Sequence, residues 1–256
     1  MAPLLEIRNV SKNFVGIKAL ERIDFQINLK ERVGLIGDNG AGKSTLIKII
    51  AGIQSPSEGE IYWEGKRVTM DSPIVARELG IETIYQDLSL ANNLTTANNF
   101  FLGRELTRTY FGGLVRFLDE KAMNARTEEL LYQMNASIPT RKQVAFLSGG
   151  QRQAIAIMRV MLWNAKLIVM DEPTAALGVA ERRKVLDLMN ELKQHGVSVL
   201  LVSHNLPDIL EVTDRVYVIR RGKIVGEQQT AATNEHTLIQ MMIGCEENVP
   251  RIERSV

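Results

Sequence analysis

Arg32-Val33-Gly34-Leu35-Ile36-Gly37-Asp38-Asn39-Gly40-Ala41-Gly42-Lys43-Ser44-Thr45-Leu46-Ile47-Lys48-Ile49-Ile50-Ala51 is the stretch that decides the fold. An apolar strand breaks into a glycine-rich turn, and the turn opens an apolar helix. That order begins a doubly wound α/β unit. Gly37 through Thr45 satisfy G-x-x-x-x-G-K-[ST] in full. Glycines let the backbone curl until successive N–H groups face one centre, and the helix N-terminus adds about half a positive charge there. The stretch Gly37, Asp38, Asn39, Gly40, Ala41, Gly42, Lys43, Ser44 and Thr45 therefore reads as a cradle for the phosphates of a nucleoside triphosphate. Lys43 is expected at the β- and γ-phosphates and Ser44 at a Mg²⁺ ion.

Working outward, Ile23, Phe25, Ile27 and Leu29 alternate with Asp24, Gln26 and Asn28. This pattern predicts a half-buried antiparallel strand ahead of the cradle. Glu64-Gly65 reads as the turn of a hairpin between Gly59–Trp63 and Lys66–Val68. Between residues 90 and 146 the texture changes: Asn92-Asn93 and Asn98-Asn99 punctuate it, and Asp119 to Met134 is rich in helix formers. This segment is expected to be a mostly helical insertion. Beyond it the chain alternates helix 149–164, strand 166–170, helix 180–194 and strand 197–202. A short helix at 206–212 and strands at 215–220 and 223–226 follow. Val185, Leu188, Met189 and Leu192 share one face of helix 180–194. Such alternation makes a mostly parallel sheet covered on both faces. The expected architecture is one α/β domain over 1–256. Its core and antiparallel β part take 1–89 and 147–244, a helical insertion takes 90–146, and a loose polar tail takes 245–256.

Leu167-Ile168-Val169-Met170-Asp171-Glu172-Pro173 is an apolar run that ends in two carboxylates. A buried strand does not readily hold a charge, so both acids are expected where it emerges at the carboxyl edge of the sheet. Asp171 suits the Mg²⁺ sphere. Glu172 suits an attacking water, because phosphoryl transfer needs an in-line nucleophile and little covalent help.

Composition removes several classes. The 256 residues carry 31 Lys plus Arg against 30 Asp plus Glu, a formal charge of +1. Domains that grip nucleic acid through bulk electrostatics carry a marked cationic excess, so no nucleic-acid partner is expected. The single cysteine, Cys245, excludes a disulfide framework and an all-cysteine metal site. No apolar run approaches the roughly 18 residues of a membrane span. The opening residues show no cationic segment followed by an apolar one, so a compact intracellular chain without a secretory signal is expected.

Leu147-Ser148-Gly149-Gly150-Gln151-Arg152-Gln153 leads into a second helix, with a serine cap and two glycines for close approach. It reads as another anion site on exposed amides. With the cradle and the two carboxylates, this string closely resembles the signature of the ATP-binding cassette (ABC) ATPases, and the resemblance runs from about Leu4 to Gly244. The expected class is thus an α/β P-loop NTPase core with an N-terminal antiparallel β subdomain and a helical insertion.

The resemblance implies further roles. Phe14, in Val10-Ser11-Lys12-Asn13-Phe14, occupies the place of an aromatic that stacks on adenine. Gln86, in Ile84-Tyr85-Gln86-Asp87, matches a glutamine that touches Mg²⁺ and the attacking water and reports to the membrane subunit. His204, in Ser203-His204-Asn205, matches a histidine on the γ-phosphate. The family also implies a head-to-tail dimer, in which each ATP lies between one copy's Gly37–Thr45 and the other's Ser148, Gly149, Gly150 and Gln151. ATP binding closes the dimer and hydrolysis loosens it.

After Pro173-Thr174 many cassettes carry Ser-Ala-Leu-Asp; this chain carries Ala175-Ala176-Leu177-Gly178, which removes a side chain expected between the two sites. That variant resembles bacterial simple-sugar importers of the ribose, xylose and fructose type, in single-cassette form. The resemblance implies a peripheral subunit on the cytoplasmic face of the membrane. Its permease would dock near Gln86 and the 90–146 insertion, and a sugar-binding protein would take part indirectly. The alternative is a soluble cassette of the iron–sulfur assembly type. His195 and His236 are read as solvated, Trp63 and Trp163 as packing, and Cys245 as a plain thiol.

Overall fold

The computed structural model describes residues 2–85, 87–110, 115–175 and 177–244, which form two compact units. The first unit takes Met1–Gln86, Ala165–Pro173 and Leu192–Val256; the second takes Asp87–Asn164 and Thr174–Glu191.

Two sheets build the first unit. Strands β1 (Leu5–Phe14) and β2 (Ile17–Ile27) pair antiparallel, and β4 (Glu58–Trp63) with β5 (Lys66–Val68) extends them in the order β2-β1-β4-β5. In β2 the alternation is as expected: Ile23, Phe25 and Ile27 are buried, while Leu29 lies exposed just beyond the strand. The second sheet contains β3 (Arg32–Ile36), β6 (Ile81–Ile84), β9 (Leu167–Asp171), β10 (Ser198–Val202), β11 (Arg215–Arg220) and β12 (Lys223–Gln229). Their order is β12-β11-β3-β10-β9-β6, with only the edge strand β12 antiparallel. Every residue of β10 is buried, as are the first four of β9, which is why these strands read as unbroken apolar runs. In register, Leu201 pairs with both Gly34 and Met170. Parallel pairing brings the carboxyl ends of β3, β6, β9 and β10 to one edge.

The core of this unit lies between the two sheets, where the Phe25 and Tyr217 rings meet at 4.6 Å. Trp63 is buried in that core, as its reading as a packing residue required. Arg215 ties the sheets together. Its guanidinium, 4% exposed, pairs with Glu31 at 2.9 Å and Glu227 at 2.6 Å and donates to the Gln26 carbonyl at 3.1 Å. A charge this deep is stable only when its donors are met this fully. Helix α1 (Lys43–Ile50) follows β3; α2 (Pro73–Glu78), α7 (Leu206–Val212) and α8 (Glu235–Ile243) complete the unit.

The second unit holds α3 (Thr96–Phe100), strands β7 (Thr107–Tyr110) and β8 (Val115–Leu118), α4 (Glu120–Gln133) and α5 (Gly149–Arg159). A 3₁₀ turn at Val160–Trp163 ends α5, so the expected helix over 149–164 is shorter than its span. Asp119 caps α4 by accepting from the Ala122 amide at 3.0 Å. The irregular stretch before α3 is organised by one buried amide. Asn99 accepts from the Ala91 N–H at 2.8 Å and donates to the carbonyls of Ala91, Leu94 and Thr95. The insertion is less helical than expected, because β7 and β8 form an antiparallel ribbon with Thr107 opposite Leu118. Thr107, Thr109, Val115 and Phe117 are strand formers, and local propensity prevails where no helical apolar stripe competes.

Helix α6 (Val179–Gln194) carries residues of both units. Its Val185, Leu188, Met189 and Leu192 are buried, as the periodicity predicts. His195 and His236 are exposed, and Cys245 lies outside the described residues.

Candidate functional site

The cradle leaves β3 at Gly37 and enters α1 at Gly42. At Gly37 a Cβ would stand 2.1 Å from the Ile219 carbonyl oxygen, so only glycine lets the chain turn there. Gly42 caps α1 with φ +113 and offers no side-chain acceptor, and the first turn of α1 holds no acid. The opening amides of α1 are therefore left to an external anion. The Lys43 ammonium folds back over the loop and donates to the carbonyls of Gly37 at 2.5 Å and Asp38 at 3.0 Å. Burial pushes its pKa down, against the opposing pull of Glu172, Asp171 and Asp38. Asp38, Asn39, Gly40 and Ser44 are exposed, Thr45 is half-buried, and Ala41 is buried beneath the loop.

The two carboxylates stand where β9 ends. Asp171 pairs in register with Val202 of β10. Burial pushes its carboxyl up, Glu172 adds to the rise, and Lys43 opposes it. Glu172 adopts φ +52, a left-handed conformation that costs a non-glycine residue about 1–3 kcal/mol. Its amide donates to the Val202 carbonyl at 2.8 Å. The strained backbone turns the Glu172 carboxylate toward the end of β10. There it accepts from the His204 N–H at 3.0 Å and the Ser203 hydroxyl at 3.4 Å, and meets His204 Nδ1 at 2.9 Å. The His204 ring is 74% exposed while the Glu172 side chain is only 17% exposed. A shielded carboxylate thus orients an imidazole whose far nitrogen faces outward. Sequence reasoning gave these residues separate tasks; the structure joins them and adds Ser203, which the sequence reading overlooked. Two adjacent parallel strands that both end in polar groups were the available signal.

Phe14 closes β1, 42% exposed, with the Lys12 ammonium 5.4 Å from its ring centroid. Gln86 lies outside the described residues. Two carboxylates beside one half-buried ammonium leave this edge short of positive charge. Its hydroxyl and carboxylate oxygens, from Ser44 and Asp171, are hard donors that suit Mg²⁺. Among the described residues no group of three or more His, Cys, Asp or Glu could hold a metal ion by itself.

In the second unit Ser148 caps α5. Its hydroxyl accepts from the Gln151 amide at 3.3 Å, and the Gln151 side chain accepts from the Ser148 amide at 3.1 Å, a complete capping box. Gln151 is thereby turned onto its own helix end. Glu181, in the first turn of α6, was missed by sequence reasoning. The Ser148 hydroxyl and the Gly150 and Gly178 amides beside its carboxylate hold its pKa below the usual carboxylate range. A Cβ at Gly150 would stand 2.9 Å from the Glu181 Cβ, so the second glycine of the string is required by this approach. Nothing lies within 4 Å of a Cβ built at Gly178.

Comparison with known proteins agrees with this geometry. The family model described as ABC transporter matches residues 20–175. The chain is 48% identical over 243 residues to the xylose/arabinose import ATP-binding protein of Sulfolobus acidocaldarius, covering 94% of each. It is 43% identical to the fructose import ATP-binding protein of Rhizobium meliloti, covering 86% of each. A ribose import ATP-binding protein of Rubrobacter xylanophilus is 41% identical, and there the chain spans 49% of the longer protein. A crystal structure of an ABC-transporter cassette in its ADP conformation superposes with a TM-score of 0.79 at 27% identity, covering 95% of this chain and 96% of that one. A dimeric cassette bound to ADP and Pi gives a TM-score of 0.72 at 26% identity, over 88% of this chain and 98% of the other. Among the described residues no helix is long and apolar enough to cross a membrane. With an open phosphate cradle, two carboxylates beyond it and a capped signature helix in one chain, the protein belongs to the ABC transporter family as its ATP-binding, ATP-hydrolysing cassette.

Proposed function

We propose that this cassette powers a membrane importer for a simple sugar, and that it works as a head-to-tail pair with an ATP at each junction. The observation that carries the reading is the Glu172–His204 pair on the sheet edge that also presents Lys43, in a chain whose relatives are import ATP-binding proteins. No observation favours the iron–sulfur alternative.

In this reading the cradle amides and Lys43 bind the phosphates, and Phe14 stacks on the adenine. Glu172 holds a water in line with the γ-phosphorus. The water oxygen bonds to phosphorus, the bond to the β-phosphate bridging oxygen breaks, and the proton shed by the water passes to the Glu172 carboxylate. His204 holds that carboxylate in place and presents its outer nitrogen to the γ-phosphate. Ser44, Asp171 and Gln86 would hold Mg²⁺, which spreads the charge of the phosphates when bound. Ser148, Gly149, Gly150 and Gln151 of the second copy close over the same nucleotide. The negative triphosphate then bridges two positive helix ends, and its loss to hydrolysis releases them. The permease would dock near Gln86 and the 90–146 insertion, placing the cassette at the cytoplasmic face, with a sugar-binding protein delivering cargo on the far side.

The test is isolation of the tagged chain from detergent-solubilised membranes. The expected result is a multi-span membrane protein at stoichiometric ratio, and ATP-dependent uptake of xylose, ribose or fructose in cells carrying the pair. Recovery with a soluble scaffold alone, and no uptake, would overturn the reading.

A further inference from the structure

The signature helix does not wait empty for its nucleotide. Its end offers few donors to an arriving phosphate. The Gln151 amide is spent on the Ser148 oxygen and the Arg152 amide on the Ser148 carbonyl. What remains is the Ser148 hydroxyl proton and the backbone amides of Gly149 and Gly150, with the Gln151 side-chain NH₂ beside them. The Glu181 carboxylate lies against this end, where the Ser148 hydroxyl and the Gly150 N–H pull its pKa down. Backbone placement enforces the contact. Ideal Cβ positions built at Gly149 and Gly150 fall 3.7 Å from Glu181 Oε2 and 2.9 Å from its Cβ. A carboxylate thus sits at the helix end that the family reading reserves for the nucleotide carried by a second copy. The two anions repel and compete for the same donors.

We propose that Glu181 is a resident anion on the signature helix, which the triphosphate carried by a second copy must displace before the pair can close. The displaced side chain has somewhere to go. Glu181, Ser148, Gly150 and Gln151 line a cavity of about 510 Å³ whose wall also carries Lys184, one turn along α6 from Glu181. The carboxylate has two polar stations, the tip of α5 and the Lys184 ammonium, and the triphosphate biases it from the first to the second. Such an element sets a threshold. ATP binds to the cradle of one copy at its own affinity, and pairing requires additional free energy to evict the tenant. A cassette built this way does not close on stray contacts between empty copies. Glu181 is a positioning residue in this account, since it touches neither nucleotide nor water in the closed pair.

The inference rests on the proposed head-to-tail pairing, and its test separates the two. In a Glu172→Gln background, which stops turnover, the ATP concentration at half-maximal pairing is measured by light scattering with and without Glu181→Gln. The amide keeps the shape and removes the charge. Pairing is expected at roughly tenfold lower ATP, about 1.4 kcal/mol, which lies within the margin by which hydrogen bonds to charged groups exceed neutral ones. ATP affinity at dilutions where no pairs form is expected to stay unchanged, and the thermal midpoint of the unpaired chain to fall, because the same charge stabilises it; a merely structural glutamate would lower the midpoint and leave the threshold where it was. Should Glu181→Gln fail to fold, Glu181→Asp decides in the same direction, because its carboxylate is one carbon short of the Gly150 amide. A threshold that stays or rises in the variant, while the parent pairs, overturns the inference alone. Failure of the parent to pair with ATP overturns the pairing itself and the inference with it.

Discussion

Glu172→Gln leaves ATP bound and abolishes its hydrolysis. The carboxylate is the general base in this account, so its loss should lower turnover by about 10²–10⁴-fold. Binding should hardly change, because the phosphates are held by the cradle and Lys43. The amide oxygen can still accept from the His204 N–H while the amide nitrogen donates to the Ser203 hydroxyl oxygen, which keeps the end of β10 in place. With hydrolysis stopped, the ATP-closed pair accumulates, and light scattering should report twice the monomer mass in ATP and the monomer in ADP. A variant that stays monomeric in saturating ATP, or that still turns over, assigns the base elsewhere.

Lys43→Ala removes the half-buried cation that donates to the cradle carbonyls of Gly37 and Asp38. A hydrogen bond to a charged partner contributes about 1.5–3 kcal/mol, so ATP affinity should fall by roughly 10- to 100-fold, read by calorimetry or a fluorescent nucleotide. Affinity for adenosine, which lacks phosphates, should not move. The pH dependence has a definite sign. Burial lowers the Lys43 pKa, so its charge is lost as pH rises, sooner than for an exposed lysine. Affinity of the parent chain should therefore weaken on the alkaline side, and that limb should vanish in Lys43→Ala. Unchanged ATP affinity in the variant contradicts the role.

Most of the fold is legible in the residues because one physical constraint dominates it. A parallel strand buried on both faces must be apolar throughout, so Leu167–Met170 and Val199–Val202 announce themselves, and polar residues announce where each strand surfaces. The cradle is legible for a related reason, since glycine is demanded at Gly37 by a carbonyl 2.1 Å from its absent Cβ. The β7–β8 ribbon was hidden because each strand is only four residues long, too short for the alternation of Val115 and Phe117 with Arg116 to stand out. Contacts between side chains far apart in sequence were hidden for another reason. Glu172 meeting His204, and Glu181 meeting Ser148, depend on a strand end turned by a positive φ and on a helix approach. Neither leaves a periodic trace. The acid in the first turn of α6 reads locally as ordinary helix chemistry, and only the approach of Gly150 gives it another meaning.

Two copies sharing each nucleotide is the claim on which the mechanism turns, and disulfide trapping tests it most directly. With Cys245 replaced by serine, one cysteine is placed at Asn39 in the cradle and another at Gln151 on the signature helix. ATP should produce crosslinked species of twice the chain mass in the Glu172→Gln background, and ADP should not. Crosslinks confined to single chains, or hydrolysis by chains shown to remain unpaired throughout, would contradict the account.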